Sequence, residues 1–169
     1  YTAGSAISPL NITNTGGAVT ANSLTTFSTN PSGQPYGIAY DPTTGDIITD
    51  DFTNGNVYRY SPSGVLLNTY SASIANGGPK DIVVDNSGNI FVANGTGANI
   101  VKITPSGTTT TISVTGSPAF GQPDGMSIDR STGIIYVADQ NSNAVYTIAS
   151  GATTATVYKT GFTNLYGVT

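Results

Sequence analysis

Short apolar runs alternate with turn residues along residues 35–169. The runs are rich in Val, Ile, Tyr and Thr, which favour strands, and Gly, Asn, Asp and Pro stand between them. No segment repeats its apolar positions with a period near 3.6, so the pattern predicts no helix. We therefore expect an all-β protein.

The predicted strands come in sets of four. Each set has a short apolar strand, a tight turn, a second strand apolar enough to be buried on both faces, a third strand and a Thr-rich fourth strand. The first set covers 37–40, 47–49, 57–60 and 65–70, the second 82–84, 90–93, 100–103 and 108–114, and the third 126–128, 134–138, 144–148 and 153–158.

The sets repeat at a nearly fixed distance. A proline opens each set, and the three prolines lie 44 residues apart, as do three aspartates that follow the first strand. A repeat of about 40–45 residues with four strands is typical of one blade of a β-propeller. The matched positions are Pro35, Pro79 and Pro123, and Asp41, Asp85 and Asp129.

The repeat predicts one propeller domain that is incomplete. Three full blades plus parts of others lie at or below the usual ring of about four to eight blades. We expect either a fragment of a longer chain or a ring that another subunit completes, with Tyr1 as a mature or trimmed start. The expected parts are 1–34 (outer strands of a first, split blade), 35–78, 79–122 and 123–164 (blades), and 165–169 (start of a further blade).

The repeated string resembles a known family of propellers. The pattern P-x-G-I-A-x-D…G-x-I-x-V-A-D-x-x-N-x-V is similar to the NHL repeat, whose propellers resemble six-bladed rings. The basic residue usual in the third strand of that repeat is present as Arg59 and Lys102 and is replaced by Thr147. The best matches are Pro35, Gly37, Ile38 and Asp41; Pro79, Ile82, Asp85, Asn94 and Asn99; and Pro123, Gly125, Asp129, Asp139 and Asn143.

Composition narrows the classes of function. The chain has no Cys, His, Trp or Glu, a net charge of −4 and only five basic residues, which form no run. Without a basic face we expect no nucleic acid as partner, and without a long apolar run no membrane insertion. Charged residues make up 8% of the chain, so hydroxyls and amides must keep it soluble, which favours a secreted or cell-surface protein.

Polar residues that recur in every blade are expected to be mainly architectural. Asp41, Asp85 and Asp129 each precede a tight turn, whose backbone N–H groups an aspartate can cap. The residues that follow the second strands are expected in loops on the face where related propellers bind ligands. A role in binding is therefore better supported for them than for the aspartates before the turns. The residues that follow the second strands are Asp51, Asn94 and Asp139.

The positions where the blades differ are the better candidates for function, because variation on a constant frame makes a specific surface. The residues directly after the prolines are expected at the mouth of the central channel and can bind a polar ligand or a hard cation, or else be ordinary solvated loop residues. The proposed ligand-binding set is Tyr36, Lys80, Asp81, Asp124 and Asp139.

We predict no cofactor and no catalytic residue within the chain. Residues 139–143 have the alternating oxygens of a Ca²⁺ loop but lack the Gly and Glu of an EF-hand, so turn chemistry explains them better. Two N-glycosylation sequons begin at Asn11 and Asn94, and a glycan on Asn94 would occupy the proposed binding face.

Three functions follow as hypotheses. The first is a binding module for a protein or glycan partner. The second is a structural subunit of an extracellular filament or surface layer, which self-associates through exposed strand edges. The third is a metal-dependent lactonase or hydrolase, as the resemblance to gluconolactonase-like and paraoxonase-like propellers implies, with its key residues outside this stretch because those families use Glu and His.

Overall fold

The computed structural model describes Phe27, residues 33–71, Ile74 and residues 77–169. Twelve strands form within these residues, and none of the described residues forms a helix that could span a membrane. The predicted outer strands within 1–34 and the sequon at Asn11 lie outside the described residues, apart from Phe27 and positions 33–34. The strands are β1 Ile38–Tyr40, β2 Ile47–Asp51, β3 Asn56–Tyr60, β4 Leu66–Tyr70, β5 Pro79–Val84, β6 Ile90–Asn94, β7 Asn99–Ile103, β8 Thr109–Val114, β9 Pro123–Asp129, β10 Ile134–Asp139, β11 Ala144–Ile148 and β12 Thr154–Thr160.

The strands form three antiparallel meanders of four, β1–β4, β5–β8 and β9–β12. Each is one propeller blade, and the predicted all-β propeller is confirmed. The outer strands β8 and β12 also pair in parallel at two positions, Thr154 with Ser113 and Ala155 with Val114. The largest difference from the sequence prediction is at β5 and β9, which begin at Pro79 and Pro123 because these prolines already pair with Asn94 and Asp139.

The first strands β1, β5 and β9 lie side by side, so the blades share an inner edge. Apolar side chains fill the space between neighbouring blades. Ile48 and Val57 of the first blade pack with Ile82 and Val92 of the second in one buried cluster. Phe91 of the second blade packs in another with residues of the third, including Ile135, Val137 and Tyr146. Successive residues of a strand point to opposite faces, so one blade contributes to both clusters.

The order of the strands gives the blades two opposite edges. The starts of the first strands lie beside the ends of the second strands on one edge, which we call the mouth face. It contains the lead-in segments 33–37, 77–81 and 120–124 and the loops 51–56, 94–99 and 139–143. The other edge carries the tight turns, where Gly45 lies near Pro62 and Gly88 near Pro105.

The third blade has one side that no described blade covers. Tyr136 is at the same repeat position as Phe91. The third blade covers Phe91, which is only 4% exposed. Tyr136 instead lines an open hollow of about 320 Å³ with Ile134 and Tyr158. Residues 165–169 form no strand but lie against β9, since a Cβ on Gly125 would come within 2.6 Å of Gly167 Cα.

Candidate functional site

Tyr36, Lys80 and Phe52 form an aromatic–cation cluster on the mouth face. The rings of Tyr36 and Phe52 stack with their centroids 4.8 Å apart and their planes at 23°. Lys80 Nζ lies 4.8 Å from the Phe52 centroid and 5.6 Å from that of Tyr36, within the range of a cation–π contact. Tyr36 remains 58% exposed. Two blades therefore build one cluster, since Tyr36 and Phe52 belong to the first and Lys80 to the second.

Asp124, from the third blade, lies close enough to Lys80 to interact electrostatically. Burial raises the pKa of the Asp124 carboxyl, and the positive charge of Lys80 and a hydrogen bond with the Gln122 side chain oppose that shift. The loop after β6 fits closely between these groups, because a Cβ on Gly95 would lie 3.0 Å from Lys80 Cγ and 3.3 Å from Gln122 Cγ. Tyr36, Lys80 and Asp124 are thus brought together across three blades.

Amide side chains lie next to Asp124 and extend the cluster along the mouth face. Gln122 Nε2 donates to Gln140 Oε1 at 2.8 Å, and Gln140 Nε2 donates to the Tyr166 hydroxyl at 2.9 Å. Asn141 Nδ2 contacts Gln122 Oε1 at 3.4 Å. Tyr166, which is 59% exposed, follows Leu165 as Tyr36 follows Pro35. We call Tyr36, Lys80, Asp124 and Tyr166, the four equivalent positions of successive units, the mouth arc.

Asp81 lies just below the mouth arc and links two blades. Its Oδ2 accepts the Met126 N–H at 2.7 Å and its Oδ1 accepts the Ile82 N–H at 2.8 Å. Glycine occupies the equivalent position in the other units, at Gly37, Gly125 and Gly167. Burial raises the pKa of Asp81, the two hydrogen bonds lower it, and the charge of Asp124 raises it further. The carboxylate is therefore largely engaged by backbone and is only partly exposed.

Asp50 is a buried acid that sequence reasoning missed. It is 0% exposed, and its Oδ1 accepts the N–H groups of Tyr36 at 2.9 Å and Gly37 at 2.8 Å. Within the described part of the chain, its Oδ2 has no hydrogen-bond partner. Burial raises the pKa of Asp50, and the charges of Asp81 and Asp51 add to the shift against the two hydrogen bonds. Ala93 and Ala138 occupy the equivalent positions, so the departure from the repeat was visible in the sequence.

Asp139 lies beneath the mouth arc and is 0% exposed. Its carboxylate accepts backbone N–H groups from Gly121 at 2.9 Å, Gln122 at 3.0 Å and Ser142 at 2.8 Å. It therefore ties the loop after β10 to the segment that leads into β9. Asp51 has the same task in the first blade, where it accepts the N–H groups of Gln34 and Thr53.

Asn94 is the equivalent of Asp51 and Asp139 in the second blade. It is 2% exposed, its Oδ1 accepts the Gly97 N–H at 3.0 Å, and its Nδ2 donates to Asn99 Oδ1 at 3.2 Å. Nδ2 is the atom that would carry an N-linked glycan. A glycan there would require this loop to leave the conformation described.

The aspartates before the tight turns are bound to those turns. Asp85 accepts the N–H groups of Ser87 and Asn89, and Asp129 accepts the N–H and hydroxyl of Ser131. Hydrogen bonds from Ser131 and Thr132 lower the pKa of Asp129 to about 2. Asp41 is bound in the same way by the N–H and hydroxyl of Thr43.

Among the described residues, no group of three or more acidic side chains is arranged to hold a metal ion. Residues 139–143 make turn and loop hydrogen bonds instead. Asp139 is occupied by backbone N–H groups, and the Ser142 hydroxyl accepts the Tyr146 O–H at 2.9 Å.

No family model and no curated protein matches the chain. Its fold is similar to that of solved structures, among them virginiamycin B lyase from Staphylococcus aureus, with a TM-score of 0.67 at 22% identity over 82% of this chain. A structure of the nidogen/laminin complex matches 75% of the chain with a TM-score of 0.62 at 21% identity. A candidate gluconolactonase matches 82% with a TM-score of 0.57 at 16% identity.

The chain spans 46%, 48% and 55% of the lengths of these three chains, in that order. The matched structures are propellers that differ in what their names say they act on or bind. At identities below 25% the likeness concerns the fold. The chain is a β-propeller.

Proposed function

We propose that this propeller is of NHL type and acts as a secreted or cell-surface binding module for a protein or glycan. The observation that carries the proposal is the mouth arc. Tyr36, Lys80, Asp124 and Tyr166 place two aromatic, one basic and one acidic side chain at equivalent positions on one face, while the recurrent aspartates are occupied by hydrogen bonds to turns and loops. A constant frame with one variable row is how repeat proteins build a specific surface.

The NHL assignment is supported by what the shared residues do. Asp41, Asp85 and Asp129 cap the turn after the first strand, and Pro79 and Pro123 open β5 and β9. The proposed location outside the cell rests on composition, since only 8% of the residues are charged. Of the residues proposed from sequence, Tyr36, Lys80 and Asp124 are the contact residues. Asp81 and Asp139 instead accept hydrogen bonds from the backbone of adjoining segments.

The proposal is tested by screening the chain on an oligosaccharide array and a peptide array, then repeating each positive with variants. We expect Tyr36→Ala, Lys80→Ala and Asp124→Ala to weaken binding without lowering the melting temperature, because none of them is fully buried. Tyr158→Ala is the matched control, an exposed tyrosine on β12 outside the mouth arc. Binding that survives all three mouth variants would contradict the proposal.

A second candidate is a structural subunit that assembles through strands left uncovered by the described blades, and two observations favour it. Tyr136 and Tyr158 meet edge to face at 5.7 Å on the uncovered side of the third blade. Ile38 and Tyr40 are exposed on β1 of the first blade. Apolar faces of this kind are typical of association sites.

Assembly and ligand binding can be separated by two variants. If the chain assembles, sedimentation should show association that rises with concentration, Tyr158→Asp should suppress it, and Tyr166→Ala should leave it intact. A monomer at all concentrations would exclude the assembly candidate while leaving the binding module untouched.

A further inference from the structure

The two ends of the mouth arc present aromatic rings that are held in place yet open to solvent. Phe52 supports Tyr36 by stacking at 4.8 Å, and Gln140 holds the Tyr166 hydroxyl at 2.9 Å. Both rings keep more than half of their surface exposed. A single exposed tyrosine needs no explanation. Two at equivalent repeat positions, each fixed by a neighbour, form contact surfaces that lose little freedom when a ligand binds.

Between the tyrosines the accessible charges compensate each other. Lys80 and Asp124 attract one another, so the charges of these two side chains offset each other at the centre of the arc. Asp50 and Asp81 lie underneath and would repel an anionic ligand, while Lys80 is the only basic residue described on the mouth face. The arc is therefore poorly suited to a sulfated or phosphorylated chain, which basic clusters bind.

Amide groups supply the remaining polar contacts. Gln122, Gln140 and Asn141 each carry both donors and acceptors, and they lie in one connected row between Asp124 and Tyr166. Hydroxyl groups also donate and accept, so this row matches a ligand rich in hydroxyls. A sugar ring has both features, because its flat C–H face packs on an aromatic ring and its hydroxyls make hydrogen bonds at the edge.

We propose that the mouth arc binds a neutral oligosaccharide, with sugar rings on Tyr36 and Tyr166 and hydroxyls on Lys80, Asp124 and the amide row. This rests on the proposed binding function and narrows its ligand to one class. Several sugar units are needed because the arc extends over four successive repeat positions, and a single sugar would reach one ring only. Peptide is the competing occupant that the test distinguishes.

The test uses titration calorimetry of the 169-residue chain with defined probes. The neutral probes are β-1,4-linked hexamers of glucose, of mannose and of N-acetylglucosamine; the charged probe is a hexamer of galacturonic acid; and the peptide probes are the positives of the peptide array. We expect saturable binding to at least one neutral hexamer with a Kd below about 1 mM. Tyr36→Ala and Tyr166→Ala should each weaken it about three- to tenfold, the usual worth of one aromatic contact.

Two further variants separate stacking from other effects. Tyr166→Phe keeps the ring and loses only the contact with Gln140, so it should weaken binding less than Tyr166→Ala does. Tyr158→Ala should change nothing. Binding of charged or peptide probes alone, sensitive to the tyrosine variants, would overturn the saccharide inference and leave the binding module standing. Binding of any probe that is indifferent to both tyrosine variants would overturn both.

Discussion

Nine aspartates supply all the acidic side chains of the chain, and their surroundings give them different roles. Asp85 and Asp129 accept turn N–H groups, and Asp139 accepts N–H groups from two separate segments. Asp50 is buried with one oxygen unpartnered among the described residues, and its pKa is raised. The same residue type therefore stabilises the fold at some positions, whereas at Asp50 the charged form destabilises it.

Asp50 should make stability depend on pH in a direction unusual for a carboxylate. Its pKa in the folded protein lies above the ordinary 3.8, so the folded state binds more protons between these two values. The wild type should therefore gain stability relative to Asp50→Asn as pH falls from about 7 to about 4. Urea unfolding of both proteins at the two pH values measures this gain. Asp41, whose lowered pKa does not depend on Asp50, is present in both proteins and cancels. An equal difference at both pH values would contradict the assignment.

Arg59 balances two buried carboxylates. Its guanidinium lies 2.8 Å from Asp41 and 2.9 Å from Asp46, and both carboxylates are almost completely buried. Burial pushes the pKa of Asp41 up, but the Thr43 hydrogen bonds and the Arg59 charge outweigh it and leave the pKa lowered.

Arg59→Met should therefore reduce the free energy of unfolding by about 3–5 kcal/mol at neutral pH, because the acids stay buried without their partner. Lys102→Met is the control at the same strand position, where the ammonium lies 5.5 Å from the Phe91 ring and should contribute less than about 1 kcal/mol. Equal losses for both variants in urea unfolding would show that the ion pair has no special weight.

At the scale of elements, the strands were predictable and the lead-in segments were not. The repeat and its turn residues placed all twelve strands, because each turn has its own Gly or Asp and each strand its own apolar or Thr-rich run. The pattern did not predict that β5 and β9 begin three residues earlier, at Pro79 and Pro123. A proline can be the first residue of a strand, but the sequence alone does not show whether a neighbouring strand pairs with it. Hydrogen bonds such as the one from Met126 N–H to Asp81 depend on a neighbouring blade and leave no local signal.

Close approach between inner strands should make Gly37 difficult to replace. A Cβ on Gly37 would lie 3.0 Å from Asp81 Cα and from the Ile82 nitrogen, so backbone of the next blade would have to move. Gly37→Ala should therefore destabilise the protein by about 1–3 kcal/mol. Gly167, at the equivalent position, has nothing within 4 Å of such a Cβ, so Gly167→Ala should change the melting temperature little. Equal melting temperatures for the two variants would mean that the blades are less tightly apposed.

Asp139 connects two loops of the mouth face, so its replacement should destabilise both. Three backbone N–H groups would lose their acceptor, and each buried unsatisfied group costs about 1–3 kcal/mol. Asp139→Ala should therefore lower the melting temperature clearly. Asp124→Ala should barely affect it but should weaken ligand binding. The reverse pattern would show that Asp139 contacts ligand and Asp124 holds the fold.

For the whole molecule, the sequence predicted the architecture well and the candidate site in part. The propeller followed from the repeat, because each copy builds the same unit. The mouth positions Tyr36, Lys80 and Asp124 followed from their variation, and the structure places them together. Phe52, Gln122 and Gln140 were not predicted, since nothing in a loop sequence shows which neighbouring blade it will meet. Tyr166 was predictable from the repeat alone.

The proposed function requires that ligand bind at the mouth arc and not at another surface of the propeller. Amide chemical shifts of the ¹⁵N-labelled chain, followed during titration with the tightest ligand from the two arrays, test it most directly. We expect the largest changes at Tyr36, Lys80, Asp124 and Tyr166, and at the amides of Gln122 and Gln140. Changes confined to the turn face or to the uncovered side around Tyr136 and Tyr158 would contradict the claim.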